Sequence, residues 1–384
     1  MSSNGLLEVP LSEVAVPVQR SVSVDPGKSY RTLGVKWWGQ GAYERQTIDG
    51  SQTAATTLNE VHENDLIINK IWVRHGSVGV VTPDVAGCCG SNEFPTFEFR
   101  SDRIIPRWMH WYSKTRQLWV KCDALSRGTS GKNRIRPEKF LTITIPLPPL
   151  EEQQRIVARI DHLAAKIGEV QGLAEQCDNV SDSLLTAQFH RITDNVPRRP
   201  LGEIAPLIRR PAEIDPTAEY PQVSVRSFGK GTFHNPPLHG SEITWQKPHL
   251  VETGDILVSN IKAWEGAIAV AGADDAGRYG SHRYLTFVPV TGVATAHFVC
   301  FYLLGPEGLY HVGEASPGSA DRNRTLSSKK MLNIEVPVPP FELQQQFDEL
   351  LSRVSAARNA RAQAANARDA LLPSILDRAF RGEL

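Results

Sequence analysis

Two short triplets carry side chains suited to pairing with the edges of nucleic-acid bases. Lys132-Asn133-Arg134 and Arg322-Asn323-Arg324 each set a basic residue, an asparagine and an arginine in a row, at the end of a Gly- and Ser-rich segment. Arg and Lys can bond guanine O6 and N7, and Asn can bond adenine N6 and N7, in a major groove. The same residues also suit a plainer role, in which Asn and Gly shape the loop and Arg134 and Arg324 pair with acids beside nearby helices. A second set matches Lys36, Trp37, Trp38 and Gln40 with Arg226, Ser227, Phe228 and Lys230. Gly39 and Gly41, repeated as Gly229 and Gly231, let that backbone turn sharply or approach a ligand closely; a hairpin packed on its own core would use them equally well. Lys70, Arg74 and Lys262 are further candidates for the same face. From Arg100 to Lys139 eleven Lys and Arg face three acids (Asp102, Asp123, Glu138), interleaved with tryptophans. Such a patch neutralises phosphates, which fixes position without reading sequence.

Signals for catalysis are weak. Asn235-Pro236-Pro237-Leu238 approaches the Asn-Pro-Pro-aromatic motif of amino-methyltransferases, but lacks the aromatic that would stack on a flipped base. A loop turn is expected there. Pro83-Asp84 with Glu98-Phe99-Arg100 imitates a metal-nuclease pattern with Arg in place of the needed Lys. No phosphate-cradling Gly-x-x-x-x-Gly-Lys-Ser/Thr loop occurs. His234 and His239 are not spaced for ligation from one helix face, and read as solvated loop residues. Neither a catalytic set nor a metal or cofactor site is expected.

Lys+Arg and Asp+Glu balance at 42 each over 384 residues, so no global field marks a polyanionic partner, and a local patch must do that work. The five cysteines, with Cys88-Cys89 adjacent and no Cys-x-x-Cys, fit neither a disulfide framework nor a zinc ribbon. A reducing, cytoplasmic setting is the expectation. Residues 1–10 lack the basic and apolar regions of an export signal, and no long apolar run suggests a membrane span.

The elements behind these residues come in two copies. Shifted by about 190 positions, the chain matches itself almost without gaps. Pro10, Leu11, Glu13, Ala15 and Arg20 return as Pro200, Leu201, Glu203, Ala205 and Arg210. Asp25, Pro26, Tyr30 and Val35 return as Asp215, Pro216, Tyr220 and Val225. Each copy opens on a proline-bounded segment and continues with β-type runs: 65–71, 76–81 and 97–99, then 255–261, 266–270 and 284–288. An aromatic helix follows over 107–118, matched by 297–304. Trp108, Trp111 and Tyr112, standing for Phe298, Phe301 and Tyr302, form an apolar core face.

Pro146-Leu147-Pro148-Pro149 and Pro337-Val338-Pro339-Pro340 set an extended approach to a long helix. The first spans about 150–189, with a heptad seam of Ile156, Ile160, Leu163, Ile167, Val170, Ala174 and Cys177, resumed at Leu184. The second runs from 341 until Pro373 disturbs it. Phe347, Leu350, Val354, Ala357, Ala364 and Leu371 make a weaker seam, into which Arg361 and Arg368 intrude. About 40 helical residues span on the order of 60 Å, too long to serve one domain. Two such helices with facing seams are expected to pack on each other as a spacer; homodimerisation through either is the other possibility.

The segments Pro-Leu-Pro-Pro-Leu-Glu-Glu-Gln-Gln-Arg-Ile (146–156) and Pro-Val-Pro-Pro-Phe-Glu-Leu-Gln-Gln-Gln-Phe (337–347) resemble the start of the conserved helical regions of type I restriction–modification specificity subunits. The closing Ala379-Phe380-Arg381-Gly382-Glu383-Leu384 resembles the end of the second such region, and the resemblance covers essentially the whole chain. It implies an α+β fold with a pseudo-two-fold internal repeat: target-recognition domains over 1–147 and 193–338, and helical spacers over 148–192 and 339–384, pairing as an antiparallel coiled coil. It further implies a non-catalytic subunit that binds double-stranded DNA. Each domain would read one half of a split asymmetric site, with DNA adenine methyltransferase subunits, two per chain, docked on it and translocating nuclease subunits joining them. The alternative is a helix-spaced scaffold in another DNA-defence assembly, without specific base readout. The divergent pair Trp37-Trp38 against Ser227-Phe228 suits two domains that read different half-sites.

Overall fold

A computed structural model describes residues 6–126, 134–244, 247–318 and 323–384. The chain forms two compact units, each mixing α and β structure. One comprises residues 1–174 with 362–384, the other residues 175–361.

The repeat is one of hydrogen-bond register as well as sequence. In the first unit Leu66 pairs antiparallel with Val80 and Thr96 with Ile67; in the second Ile256 pairs with Val270 and Thr286 with Leu257. A long antiparallel hairpin, Ser29–Lys36 with Gly41–Asp49, is matched by Glu219–Val225 with Thr232–His239. Each hairpin meets one short strand in parallel, through Thr32 and Cys89 or Gln222 and Tyr279. The central strands read Leu66–Ile68 and Ile256–Ser259 and are wholly buried, as continuous apolar runs require. Below them, Arg20 reaches the buried carboxylate of Asp65 at 2.6 Å, and Arg210 reaches that of Asp255 at 2.7 Å. Each carboxylate also accepts a backbone N–H, from His62 or Glu252, so neither buried charge stands alone.

The aromatic helix predicted over 107–118 is two helices, Pro106–Tyr112 and Arg116–Ser126. The hydroxyls of Ser113 and Thr115 donate to the carbonyls of His110 and Tyr112, competing with the helical ladder and breaking it there. Gly305-Pro306 makes the equivalent break between Ala296–Leu304 and Pro306–Glu314. The predicted apolar face is core: Trp108, Trp111 and Tyr112 are buried, as are Phe298 and Tyr302.

A glutamine explains why a helix follows the proline motif at a fixed spacing. Gln153 is fully buried; its Oε1 accepts from Ile105 N, and its Nε2 donates to the carbonyls of Arg103 and Pro148. Gln344 repeats the pattern with Thr295 N and the carbonyls of Val293 and Pro339. One amide thus joins the proline turn, the start of the aromatic helix and the first turn of the connector helix.

The connector helices run Leu150–Thr193 and Phe341–Asp369, the second followed by Leu371–Phe380. Pro373 interrupts the second connector, which ends at Asp369, the residue whose carbonyl an N–H at 373 would have bonded. Pro373 sits in the first turn of the new helix, where a proline lacks no needed N–H. Ile156 and Ile160 are buried in the first unit's core, with Leu163 and Ile167 partly covered; Phe347 is buried in the second unit's core, with Leu350 and Val354 packed against it. Six expected seam residues lie outside it: Val170, Cys177, Leu184, Ala357, Ala364 and Leu371 are exposed. Leu185, Phe189 and Ile192 carry the end of the first connector instead. The pitch drifts because 3.6 residues per turn does not match a strict heptad over such a length. Phe189 packs within 5.1 Å of the Phe298 and Phe301 rings, and Phe380 within 5.0 Å of Trp108 and Tyr112. In the second unit the two connectors run antiparallel: Phe189 meets Phe347, while Asp178 and Asp182 meet Arg358. No helix among the described residues is long and apolar enough to cross a membrane.

Replacing Gln153 by Met keeps the volume but leaves one N–H and two carbonyls buried without partners. We expect a loss of about 2–5 kcal/mol from unmet hydrogen bonds, measured as a lowered urea midpoint. Gln344→Met should act similarly, whereas Gln154→Met, on the exposed side of the same turn, should be near neutral.

Candidate nucleic-acid interface

The first hairpin turns through Trp37-Trp38-Gly39-Gln40, between the paired residues Lys36 and Gly41. Trp38 has φ 57°, Gly39 65° and Gly41 84°, all left-handed. Two backbone bonds hold the tip, Trp38 N to His75 O and Gly39 N to Gly76 O, each 2.8 Å. A Cβ on Gly39 would lie 2.5 Å from the Ser113 carbonyl oxygen, so only glycine fits against the break between the two helices. For a tryptophan the left-handed conformation costs about 1–2 kcal/mol, so the surroundings impose it. Trp37 and Trp38 remain about half exposed. Trp37 lies 5.1 Å from Trp72, Trp38 lies 5.4 Å edge-on to Trp119, and His75 touches both tip rings. Arg74 and Arg116 join Trp38, His75 and Trp119 around a shallow pocket of about 490 Å³. Lys36 and Gln40 are exposed beside the tip.

The second hairpin repeats this backbone with other side chains. Phe228 has φ 63°, Gly229 63° and Gly231 77°. Phe228 N bonds Glu265 O at 2.8 Å and Gly229 N bonds Gly266 O at 2.9 Å. Phe228 is 71% exposed, with the Lys230 ammonium 5.7 Å from its ring centre. Where the first tip has the imidazole of His75, this one has the Glu265 carboxylate, bonded by Lys262 and Ser227. The Lys262 bond, supported by Ser227, holds that carboxyl below its ordinary value. Arg226 turns back onto its own hairpin, over the Phe233 ring and onto Thr232 O.

The loop triplets fare less well. Lys132, Asn133 and Arg322 lie outside the described residues. Arg134 pairs with Glu93 at 2.9 Å, and Asn323 is exposed. Arg324 donates to the carbonyls of Ser316 and Gly313 and lies 4.8 Å over the Trp264 ring, so it braces its own loop. The basic stretch 100–139 is not one patch either, since Arg103, Arg107 and Lys121 are paired with Glu13, Asp161 and Glu8. The acids that consume them come from distant segments, which local charge counting misses. Trp72, His75 and Trp119 belong to the first tip and were absent from the candidates; the tryptophans between Arg100 and Lys139 were the available signal.

Asn235-Pro236-Pro237-Leu238 is no loop. It lies within the edge strand Thr232–His239, where prolines cost no ladder bond. His234, in the same strand, bonds Asp275 at 2.9 Å beside an open pocket of about 600 Å³. Burial alone would raise the Asp275 carboxyl, but bonds from His234, Gly272 N and Thr232 outweigh it and hold it below its ordinary value. The first repeat has Val85 at this position, so the two hairpins differ in their support as well as at their tips. No group of three or more His, Cys, Asp or Glu among the described residues is placed to hold a metal ion.

Two clamped aromatic hairpins on one duplicated frame define a class in which two like domains present unlike surfaces. Residues 28–176 match the family described as the type I restriction modification DNA specificity domain. A comparison with curated proteins finds no match. Among solved structures, the HsdS subunit from Thermoanaerobacter tengcongensis is similar at TM-score 0.60 and 20% identity, over 99% of this chain and 98% of that one. A chain from work on the complex assembly and conformational transition of the type I R-M system is similar at TM-score 0.69 and 20% identity, over 99% of both chains. The S subunit of a type I restriction-modification system from M. genitalium reaches TM-score 0.51 at 14% identity, over 99% and 97%. The family match thus falls on the first repeat and the helix after it, and the likeness to type I specificity subunits extends along the chain as a shared fold.

Asp275 makes a test of the second hairpin's support. Its carboxyl is depressed, so its contribution is full above the ordinary value of 3.8 and lost as pH falls through the lower folded value. Asp275→Ala should cost about 1–3 kcal/mol at pH 7, and the gap between mutant and wild-type urea midpoints should shrink in acid. A gap that held constant with pH would exclude a role for the ionised carboxylate.

Proposed function

We propose that this chain is the non-catalytic DNA-specificity subunit of a type I restriction–modification complex. It binds double-stranded DNA at a split asymmetric site and docks adenine methyltransferase subunits, two per chain, to which translocating nuclease subunits add. Residues 1–147 and 193–338 are its readers, and residues 148–192 and 339–384 its helical spacers. It needs no cofactor of its own. The observation that carries the reading is the pair of hairpin tips, at Trp38 and Phe228, held by the same two backbone hydrogen bonds but dressed with different side chains. Identical frames with unlike surfaces suit two unlike half-sites. Lys36, Trp37, Trp38 and Gln40 face one half-site, and Arg226, Phe228 and Lys230 the other; the loop residues Lys132, Asn133, Arg134, Arg322 and Asn323 supply further contacts to the duplex, with phosphate contacts setting position and base contacts setting sequence.

Mapping adenine methylation in cells with and without the gene, its methyltransferase subunit supplied, tests this directly. Methylation should appear at one split motif. Exchanging residues 200–330 for the corresponding domain of a relative should alter one half of that motif and leave the other. Adding four residues to each connector lengthens it by about 6 Å, on the order of two base pairs of duplex. The unread gap should grow accordingly, while the letters of both halves stay fixed. Methylation that ignored both changes, or sequence-indifferent binding by the complete complex, would instead fit a scaffold.

A further inference from the structure

We propose that Trp38 and Phe228 are wedges, each inserting its ring between stacked bases of the duplex, one in each half-site. The inference rests on the DNA reading above and adds a mode of contact: the readers deform the duplex they recognise.

The first argument is conformational. A left-handed hairpin residue is ordinarily Gly, Asn or Asp, and a bulky aromatic there is an outlier. This chain adopts it twice, at φ 57° for Trp38 and 63° for Phe228. The residue type changes from tryptophan to phenylalanine, but aromatic character and strain persist. The rings stay 50% and 71% exposed, Trp38 half covered by Trp119 and His75 and Phe228 largely bare. Strain imposed twice at an exposed aromatic tip points to function.

The second argument is mechanical. A wedge must not fold away when it meets the stack. Backbone bonds of 2.8–2.9 Å fasten each tip at two consecutive residues, and Gly39 is seated against the Ser113 carbonyl where no side chain fits. Trp38 is further braced edge-on by Trp119.

The third argument is electrostatic. Arg74 and Arg116 flank Trp38, and the Lys230 ammonium lies 5.7 Å from the centre of the Phe228 ring, while Lys262 is paired with Glu265. Cations around an apolar tip suit phosphates on either side of an opened base step, and apolar wedges of this kind unstack and kink duplexes. Flexible pyrimidine–purine steps open most easily, so the wedge itself contributes to sequence choice.

The test uses the subunit with its methyltransferase subunits and duplexes carrying the mapped motif, with 2-aminopurine moved step by step through it. Fluorescence should rise several-fold at one step in each half-site apart from the methylated adenine, which the methyltransferase subunits themselves unstack. Trp38→Asn should abolish the rise in one half-site only, and Phe228→Asn in the other. Each should weaken specific binding about 10- to 100-fold, as loss of one aromatic–base stack does. Asparagine accepts the left-handed conformation, so both variants should melt at or above the wild-type temperature, which separates lost function from lost fold. Specific binding with no fluorescence change at any step other than the methylated adenine would overturn the wedge while leaving the DNA reading intact. Trp38→Asn or Phe228→Asn variants that keep the rise but shed methyltransferase subunits would overturn it in favour of a protein contact. Absence of specific binding by the wild-type complex would instead overturn the DNA reading.

Discussion

Gln153 and Gln344 each bring a primary amide into a place without water and match its oxygen and both N–H groups to backbone partners. Those partners belong to three elements: the proline turn, the segment that starts the aromatic helix, and the connector helix itself. A buried backbone group left unpaired costs more than a formed bond gains. The amide therefore fixes the angle at which the connector leaves the domain. The prolines contribute by restricting the approach before the amide closes it.

From that fixed base the domain frame extends to the hairpin tip through contacts that repeat at the same offset. Arg20 and Arg210 each clamp a buried aspartate, and Tyr30 and Tyr220 each accept a backbone N–H from Asp25 or Asp215. The same two backbone bonds hold each tip, which leaves its side chains free to differ. Trp38 leans on tryptophan and histidine, whereas beside Phe228 the Ser227 hydroxyl bonds a Glu265 carboxylate paired with Lys262. Division of labour between backbone and side chain is what lets one frame carry two surfaces.

This division also decides what could be read without coordinates. The repeat, the buried strands, the apolar face of Trp108 and Tyr112, and both connectors were legible because burial imposes periodicity on sequence. The tip residues Trp37, Trp38 and Phe228 were legible as candidates because Gly39, Gly41, Gly229 and Gly231 mark the turns. The partners of Arg324 were not legible, since nothing near it in sequence announces the carbonyls of Gly313 and Ser316 or the ring of Trp264. His75 and Trp72 were missed for the matching reason: they reach the tip only through the fold. The Asn-Pro-Pro segment looked like a turn because prolines usually leave sheets, but an edge strand has room for them.

The connectors show the same logic in their length. Apolar burial is concentrated where each helix belongs to a globular core: at Ile156 and Ile160 in one unit, and at Leu185, Phe189 and Phe347 in the other. Between such ends a continuous leucine seam would be the stronger glue, yet in the second unit the contact passes to Arg358 and Arg361 against Asp178 and Asp182. These pairs are partly exposed, and ion pairs of that kind contribute little adhesion. They do discriminate, because a rotation or slip of either helix would set a charge against an apolar neighbour. A polar position in a helical seam fixes register at some cost in stability. Register is thus what these pairs contribute between the connectors of the second unit, and Arg361, which interrupts the seam in sequence, supplies it together with Arg358.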